Sequence, residues 1–148
     1  MPDALFFYGV LRPELASGRM AELVALLGDP RPATVAGRLY AVPDARGHYP
    51  VMIAGEDGGR VRGIIMQLGA MFGGDALAEL DAFEGFDPAA HDSSDYIRHS
   101  VRAELADGTP LAADAYWWNR AVAADFIPIA HGDFARYLAE SGARTLPG

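Results

Sequence analysis

The stretch Tyr96-Ile-Arg-His-Ser-Val-Arg-Ala-Glu-Leu105 alternates between two sets of side chains, the pattern of a β-strand with two different faces. One predicted face carries Ile97, His99, Val101, Ala103 and Leu105. Tyr96 and Arg98 share the other face. The dipeptide Asp107-Gly108 indicates a turn, and Leu111–Trp118 is the expected return strand. This part of the chain therefore predicts an antiparallel pair of strands.

The rest of the chain mixes short strands with helices. We predict strands at Ala4–Tyr8, Thr34–Val42, Val51–Ile53 and Arg60–Leu68, the last entered by a hairpin turn at Asp57-Gly58-Gly59. We predict helices at Ser17–Leu27, Asp75–Glu84 and Gly132–Glu140, the last with Asp133 as its N-cap and Gly142 as its stop. This order favours an α+β domain with a curved, mainly antiparallel sheet or small β-barrel over a doubly wound sheet.

The composition limits the class of protein. A chain of 148 residues with 51% hydrophobic residues suits a single domain spanning 1–148. No apolar run approaches the roughly 18 residues of a membrane helix, and no basic region precedes the apolar N-terminal stretch. We therefore expect a cytoplasmic protein. Apart from His, Arg is the sole basic residue, and Ala and Gly are abundant. This composition suggests a GC-rich bacterial genome.

Two residue types are missing from the chain. The absence of Cys excludes disulfides, thiolate nucleophiles and Cys metal sites, and the absence of Lys excludes Schiff-base chemistry and a P-loop. The net charge is −8 and no basic stripe is visible, so we expect no nucleic-acid partner and no binding to an acidic membrane surface.

Glu84 is the strongest candidate for catalysis by the residue pattern alone. Leu77, Leu80 and Glu84 fall on one face of the predicted helix, so the carboxylate points to the core or to a cleft in it. Burial and the negative end of the helix dipole both raise the pKa of such a group, as a general acid/base near neutral pH requires. The alternatives are an outward-facing Glu84 or a structural salt bridge.

Other chemistry has weaker support. Ser93 or Ser94 beside His91 could serve a hydrolase, but no Gly-x-Ser-x-Gly elbow is present. The oxygen and nitrogen ligands of His91, Asp92, Asp95 and His99 match no zinc spacing, so we predict no metal site. The glycine after the buried strand, in Tyr8-Gly9, would let backbone N–H groups approach a ligand or an oxyanion.

Several motifs occur in an order that resembles one known family. They are Phe7-Tyr8-Gly9-Val10-Leu11-Arg12, Val35–Tyr40 with Tyr49–Val51, Val61-Arg62-Gly63, Leu80-Asp81-Ala82-Phe83-Glu84-Gly85-Phe86 followed by Tyr96-Ile97-Arg98, Ala115-Tyr116 and Ile129–Phe134. Together they resemble the γ-glutamylcyclotransferase-like family, which includes the AIG2-like proteins. The resemblance covers nearly the whole chain.

The resemblance implies a small mixed, mainly antiparallel β-barrel flanked by helices, and a cofactor-free and metal-free reaction. In that reaction a small-molecule γ-glutamyl substrate forms 5-oxoproline and releases an amine or amino acid. Glu84 matches the family's catalytic Glu. The matching substrate-binding loop consists of Tyr8, Gly9, Val10 and Leu11, and either Tyr96 or Arg98 would line the site.

Two positions depart from the family pattern. Val10 stands where Ser or Thr is usual, which removes a hydroxyl contact, and Phe134 stands where Trp is usual. The rival hypothesis is a non-catalytic small-molecule or partner-binding module on the same scaffold. The sequence gives no indication of the oligomeric state or of the amine that would leave.

Overall fold

The structure is a computed structural model that describes residues 1–9, 16–55 and 58–146. Its strands are β1 (Ala4–Phe7), β2 (Arg31–Ala36), β3 (Arg38–Val42), β4 (Tyr49–Ile53), β5 (Arg60–Gln67), β6 (Tyr96–Leu105), β7 (Pro110–Trp118) and β8 (Ile127–Pro128). Its helices are α1 (Gly18–Val24), α2 (Gly74–Phe83) and α3 (Phe134–Ser141), and a 3₁₀ turn spans His91–Ser93.

Five strands close into a barrel in the order β1-β5-β2-β6-β7. All neighbouring pairs are antiparallel except β1 and β7, which run parallel with Leu5 opposite Asp114. The predicted strands at 96–105 and 111–118 pair along their length as expected, with Tyr96 opposite Trp118. The predicted α+β class and the mixed, mainly antiparallel barrel flanked by helices are confirmed.

The predicted strand Thr34–Val42 is wrong in one respect, because it is two strands in two sheets. β2 lies in the barrel, whereas β3 forms the centre of a three-stranded sheet in the order β4-β3-β8. The chain changes sheets at Gly37, where an added Cβ would lie 2.9 Å from the Ile53 carbonyl oxygen. Only a glycine fits such a close backbone approach without a shift.

The predicted hairpin at Asp57-Gly58-Gly59 is also wrong. β4 pairs with β3, and β5 pairs with β1 and β2, so the segment between β4 and β5 carries the chain from one sheet to the other. Gly58 has the positive φ of +79° that a turn glycine often shows, but Asp57 lies outside the described residues. Local turn chemistry cannot specify which strands pair.

The helices follow the predicted pattern, with bounds that differ by one to three residues. α1 ends at Val24 and not at Leu27, because Leu27 forms a β-bridge with Leu68. α3 has the predicted caps, since the Asp133 side chain accepts a hydrogen bond from the Arg136 N–H and Gly142 is left-handed. Among the described residues, no helix combines the length and hydrophobicity needed to cross a bilayer.

Two hydrophobic clusters hold the barrel together. One fills the interior and continues to the second sheet and α3, and its members include Phe6, Tyr8, Val61 and Phe134. The other lies between the barrel wall and helices α1 and α2 and includes Leu5, Phe7, Leu77 and Leu80. β1 contributes alternate residues to both clusters, so all four of its residues are buried.

His99 does not occupy the core side of β6 as the alternation suggested. Its side chain is exposed, and its ring stacks on Trp117 with 5.1 Å between the ring centroids. The barrel partner β2 pairs with β6 only at Glu104 and Leu105, so the first part of β6 has a neighbour on one side alone. Burial on this strand therefore begins near Ala103.

Candidate active site

A cavity of about 310 Å³ lies where the end of β1 meets β4, β6, β7 and the end of α2. Its lining includes Tyr8, Gly9, Tyr49, Pro50, Glu84, Tyr96, Tyr116 and Trp118. Four of the predicted site residues therefore share one cavity although they come from three separate segments of the chain: Tyr8 and Gly9, Glu84, and Tyr96. A cavity lined by aromatic side chains together with a few polar and charged groups is a usual form of a small-molecule site.

Glu84 reaches the cavity because it caps the C-terminal end of α2. Leu77 and Leu80 anchor the helix in the hydrophobic cluster beside the barrel, and Glu84 follows on the same face, as predicted. The backbone N–H of Glu84 still donates to the Leu80 carbonyl at 3.0 Å. The carboxyl group is therefore carried by the residue that ends the helix, and the leucines hold this helix against the barrel.

The environment of Glu84 favours its neutral form. Burial, followed by the negative charge of Asp81, raises the pKa of Glu84 to about 8. Among the described residues, none forms a hydrogen bond or an ion pair with its carboxyl group. Near neutral pH this carboxyl can therefore both hold a proton and release it.

Tyr8 and Gly9 form the end of β1 at the cavity. The Tyr8 hydroxyl donates a hydrogen bond to the backbone carbonyl of Tyr116. Burial and the nearby Glu84 carboxyl raise the pKa of Tyr8 well above its ordinary value, so its hydroxyl remains a donor. Gly9 packs against Pro50, and an added Cβ at Gly9 would lie 2.5 Å from the Pro50 Cγ. Val10 and Leu11 lie outside the described residues.

Tyr96 lines the cavity, whereas Arg98 is absent from the lining. The Tyr96 hydroxyl donates to the Pro50 carbonyl at 2.7 Å, and its ring meets the edge of Trp118 with 5.2 Å between centroids. Burial raises the pKa of Tyr96 well above its usual range. The Tyr96 side chain thus forms a fixed wall between β4 and β7.

The guanidinium of Arg98 is held by two carboxylates. Its Nε donates to Asp81 at 2.8 Å, its Nη2 donates to the other Asp81 oxygen at 3.3 Å, and its Nη1 donates to Asp114 at 2.6 Å. The Tyr116 hydroxyl also donates to Asp81, at 2.7 Å. Arg98 therefore lies behind the cavity wall, in a network that reaches Tyr8 through Tyr116.

Among the described residues, the side chains considered for hydrolase or metal chemistry do not come together in a site. Ser94 is buried and its hydroxyl lies 2.9 Å from the Ala90 carbonyl oxygen, an arrangement that stabilises the 3₁₀ turn. Asp95 pairs with Arg120 at 3.0 Å. Within residues 1–9, 16–55 and 58–146, no group of three or more His, Cys, Asp or Glu side chains could hold a metal ion.

Sequence reasoning missed Asp81, which is 4% exposed, and the wall residues Tyr49, Pro50 and Trp118. The signal for Asp81 was present, because Leu77 and Asp81 are spaced i, i+4 on the buried face of the helix. No comparable signal marks Tyr49, since its place in the cavity depends on the packing of the second sheet against the barrel.

Comparisons with known proteins show the family of this chain. A family model described as "Gamma-glutamyl cyclotransferase, AIG2-like" matches residues 5–136, which confirms the resemblance found in the motifs. None of the curated proteins matches the chain.

Solved structures share the fold at low sequence identity. YkqA from Bacillus subtilis is 22% identical with a TM-score of 0.67, and 96% of this chain spans 43% of YkqA. An AIG2-like protein from Mus musculus is 17% identical with a TM-score of 0.64, covering 90% of this chain and 88% of its own. A structure titled "Gamma-glutamyl cyclotransferase" is 15% identical with a TM-score of 0.63, covering 100% of this chain and 90% of its own. These likenesses establish the fold alone.

Proposed function

This chain belongs to the gamma-glutamyl cyclotransferase, AIG2-like family, and we propose that it releases an amine or amino acid from γ-glutamyl conjugates with formation of 5-oxoproline. Glu84 is the proposed general acid/base. The observation that carries the proposal is a carboxyl group in a cavity of about 310 Å³, without a hydrogen-bond partner among the described residues and with a pKa of about 8.

The proposed reaction is an intramolecular acyl transfer. The α-amine nitrogen of the glutamyl group attacks its own γ-carbonyl carbon, the new C–N bond closes a five-membered ring, and the bond to the leaving nitrogen breaks. In its ammonium form the attacking nitrogen must lose two protons, one before it attacks and one as the ring closes, and the leaving nitrogen gains two and departs as an ammonium. Glu84 takes each proton in turn and passes it to the leaving nitrogen, so the reaction balances without a co-reactant.

The raised pKa of Glu84 supports both of these roles. A carboxyl group with an ordinary pKa would be too weak a base to take a proton from an ammonium at a useful rate. With a pKa of about 8, a fraction of roughly a tenth is ionised at pH 7, and the base is correspondingly stronger. The protonated form that results is then a suitable acid for the leaving nitrogen.

The end of β1 is the proposed binding site for the glutamyl part. Gly9 lies at the cavity, and the family motif extends the loop to Val10 and Leu11, whose backbone N–H groups would contact the substrate. The leaving amine would then lie toward Tyr49 and Trp118, two aromatic side chains of the same cavity. Tyr96 keeps these two parts of the wall in place through its bond to Pro50.

The proposal is tested by incubating the protein with a panel of γ-glutamyl amides and amines. The products are identified by mass spectrometry, because cyclisation yields 5-oxoproline whereas hydrolysis yields glutamate. Turnover should disappear in Glu84→Gln while circular dichroism shows an intact fold. The matched control is Glu79→Gln, which makes the same change on the exposed side of α2, where Glu79 pairs with Arg19.

Two results would contradict the proposed function. One is glutamate as the product. The other is the absence of turnover on the whole panel together with tight binding of its members, which would favour a non-catalytic binding module on the same scaffold. Equal loss of turnover in Glu79→Gln and Glu84→Gln would contradict the assignment of Glu84 as the general acid/base.

A further inference from the structure

Asp81 is a charged residue inside the protein, and its contacts connect three elements. Its side chain is held by Arg98 from β6 and by the Tyr116 hydroxyl from β7. Its backbone carbonyl accepts a hydrogen bond at 2.8 Å from the N–H of Phe86, just beyond Glu84. A buried carboxylate is costly unless it is well paired, so this residue type is unusual at such a position.

We propose that Asp81 is a positioning residue for Glu84: clamped by Arg98 and Tyr116, it fixes the last turn of α2 against the barrel and provides the negative charge next to which Glu84 works. This inference rests on the proposed function of Glu84. It assigns roles to Asp81, Arg98 and Tyr116 that do not require contact with the substrate.

The contacts of Asp81 fix the end of the helix that carries Glu84. Asp81 precedes Glu84 by three residues, so the two side chains leave the same region of the helix about one turn apart. The side chain of Asp81 holds the helix to β6 and β7. The bond from the Phe86 N–H to its backbone carbonyl belongs to the helix C-terminal motif closed by the left-handed Gly85, and any residue at this position would accept it. The segment carrying Glu84 is thus fixed both before and after this residue.

Tyr116 extends the connection to the other side of the cavity. Its hydroxyl donates to Asp81, and its backbone carbonyl accepts the hydrogen bond of Tyr8. A shift of β7 would therefore move the contacts of Asp81 and Tyr8 together. This coupling keeps the Glu84 carboxyl and the end of β1 at a constant separation, which a cyclisation with tight geometric demands requires.

The charged network next to Glu84 contains more carboxylates than guanidinium groups. Arg98 contacts both Asp81 and Asp114, so one guanidinium faces two carboxylates. The titratable groups whose charges act on Glu84 or feel its charge are Asp81 on α2, Tyr8 just after β1, Tyr96 on β6 and Tyr116 on β7. The same cavity is also lined by further ionisable side chains, namely Asp44, Arg46, Tyr49 and Asp95. Burial raises the pKa of Tyr8, Tyr96 and Tyr116, so none of these hydroxyls adds a negative charge near pH 7.

The first test compares Asp81→Asn with Asp114→Asn. Both variants remove one carboxylate from Arg98, but only Asp81 is next to Glu84. In Asp81→Asn the ascending limb of the pH profile of kcat/KM should move to lower pH by roughly half to one pH unit, because the charge that disfavours ionised Glu84 is lost. In Asp114→Asn the limb should stay within about 0.2 pH units of the wild type.

The second test uses Tyr116→Phe, which removes a hydrogen bond and no charge. This variant keeps the backbone carbonyl that accepts from Tyr8 but releases one side of Asp81. Its kcat should fall on the order of tenfold, with KM and the pH of the ascending limb nearly unchanged. It also provides a result if Asp81→Asn fails to fold.

A titration that needs no turnover separates this inference from the proposed function. Carbon-13 NMR of protein labelled in its glutamate carboxyl carbons reports the pKa of Glu84 directly, and Glu84→Gln identifies the signal. The Glu84 pKa should be lower in Asp81→Asn than in Asp114→Asn whether or not any substrate is found. An unchanged Glu84 pKa in folded Asp81→Asn, or equal shifts in the two variants, would overturn the inference.

Discussion

The hydroxyl of Tyr8, at the end of β1, donates a hydrogen bond to the backbone carbonyl of Tyr116 in β7. The Tyr8 ring belongs to the interior cluster of the barrel, whereas the Tyr116 ring packs with the helices outside. The bond therefore joins the two clusters across the barrel wall, at the point where the cavity is formed.

Tyr8→Phe should reduce both stability and activity. The substitution keeps the ring but leaves the Tyr116 carbonyl without its donor, which should lower the free energy of unfolding by about 1–2 kcal/mol. Activity should fall several-fold because the strand end beside Glu84 loses a fixed contact. Urea denaturation and steady-state kinetics measure the two effects.

A control for Tyr8→Phe is Tyr137→Phe. The Tyr137 hydroxyl lies 2.9 Å from the His48 Nδ1 and Tyr137 does not line the cavity, so this variant should lose stability without a comparable loss of kcat. Equal losses of kcat in both variants would show that the activity effect is a general consequence of lower stability.

Glu84→Gln should stabilise the protein at high pH. The pKa of Glu84 is about 8 in the folded protein against an ordinary value of 4.5, so between these values the folded state binds more protons than the unfolded state. The stability of the wild type therefore falls as the pH rises through this range. Gln cannot ionise, so relative to the wild type the variant should gain on the order of 4 kcal/mol between pH 4.5 and pH 9.

Urea denaturation at pH 4.5 and pH 9 checks this prediction. The stability difference between Glu84→Gln and the wild type should be small at pH 4.5 and large at pH 9. Glu79→Gln should show no such gain at pH 9, because Arg19 lowers the pKa of Glu79 in the folded protein. A difference that is independent of pH would contradict a buried, neutral Glu84.

Gly9→Ala should impair the cavity more than the fold. The new Cβ would lie 2.5 Å from the Pro50 Cγ, so Pro50 must shift, and its carbonyl is the acceptor for the Tyr96 hydroxyl. We expect kcat/KM to fall on the order of tenfold. Gly74→Ala is the control, since no atom lies within 4 Å of the added Cβ there and its kinetics should match the wild type.

Trp118→Phe should weaken substrate binding. Trp118 lines the cavity and contacts the rings of Tyr49 and Tyr96, so a smaller ring leaves space where the leaving amine would lie. KM should rise several-fold with a smaller change in kcat. The neighbouring Trp117 stacks on His99 and does not line the cavity, so Trp117→Phe should leave KM unchanged.

The elements of this fold were largely predictable, but their pairing was not. The strand Tyr96–Leu105 and the caps of α3 follow from local signals, and the structure has both, although burial alternates along β6 only from Val101 onward. The change of sheet at Gly37 depends on the close approach of Ile53, which is distant in sequence. β8 has two residues and pairs with β3, so no local pattern could mark it.

The candidate site likewise combines features that the sequence predicted with features that depend on tertiary packing. The helix face predicted a Glu84 that points to the core or to a cleft and has a raised pKa, and the structure has Glu84 half-buried at the cavity with a raised pKa. Its catalytic role stays a prediction. Arg98 is different, because the sequence placed it on the same strand face as Tyr96 but could not reveal Asp81 and Asp114 as its partners. Partners that face each other across β6, β7 and α2 are set by tertiary packing.

The parallel pairing of β1 with β7 also affects how the protein folds. Tyr8 and Tyr116 are separated by 108 positions, and the cavity needs both strands. During synthesis the cavity can form only after β7 has left the ribosome. The edge of β1 that pairs with β7 therefore stays unpaired while most of the chain is made. Contacts of such high sequence separation slow folding. The barrel should therefore close late, and an apolar first strand exposed until then is a natural target for chaperones.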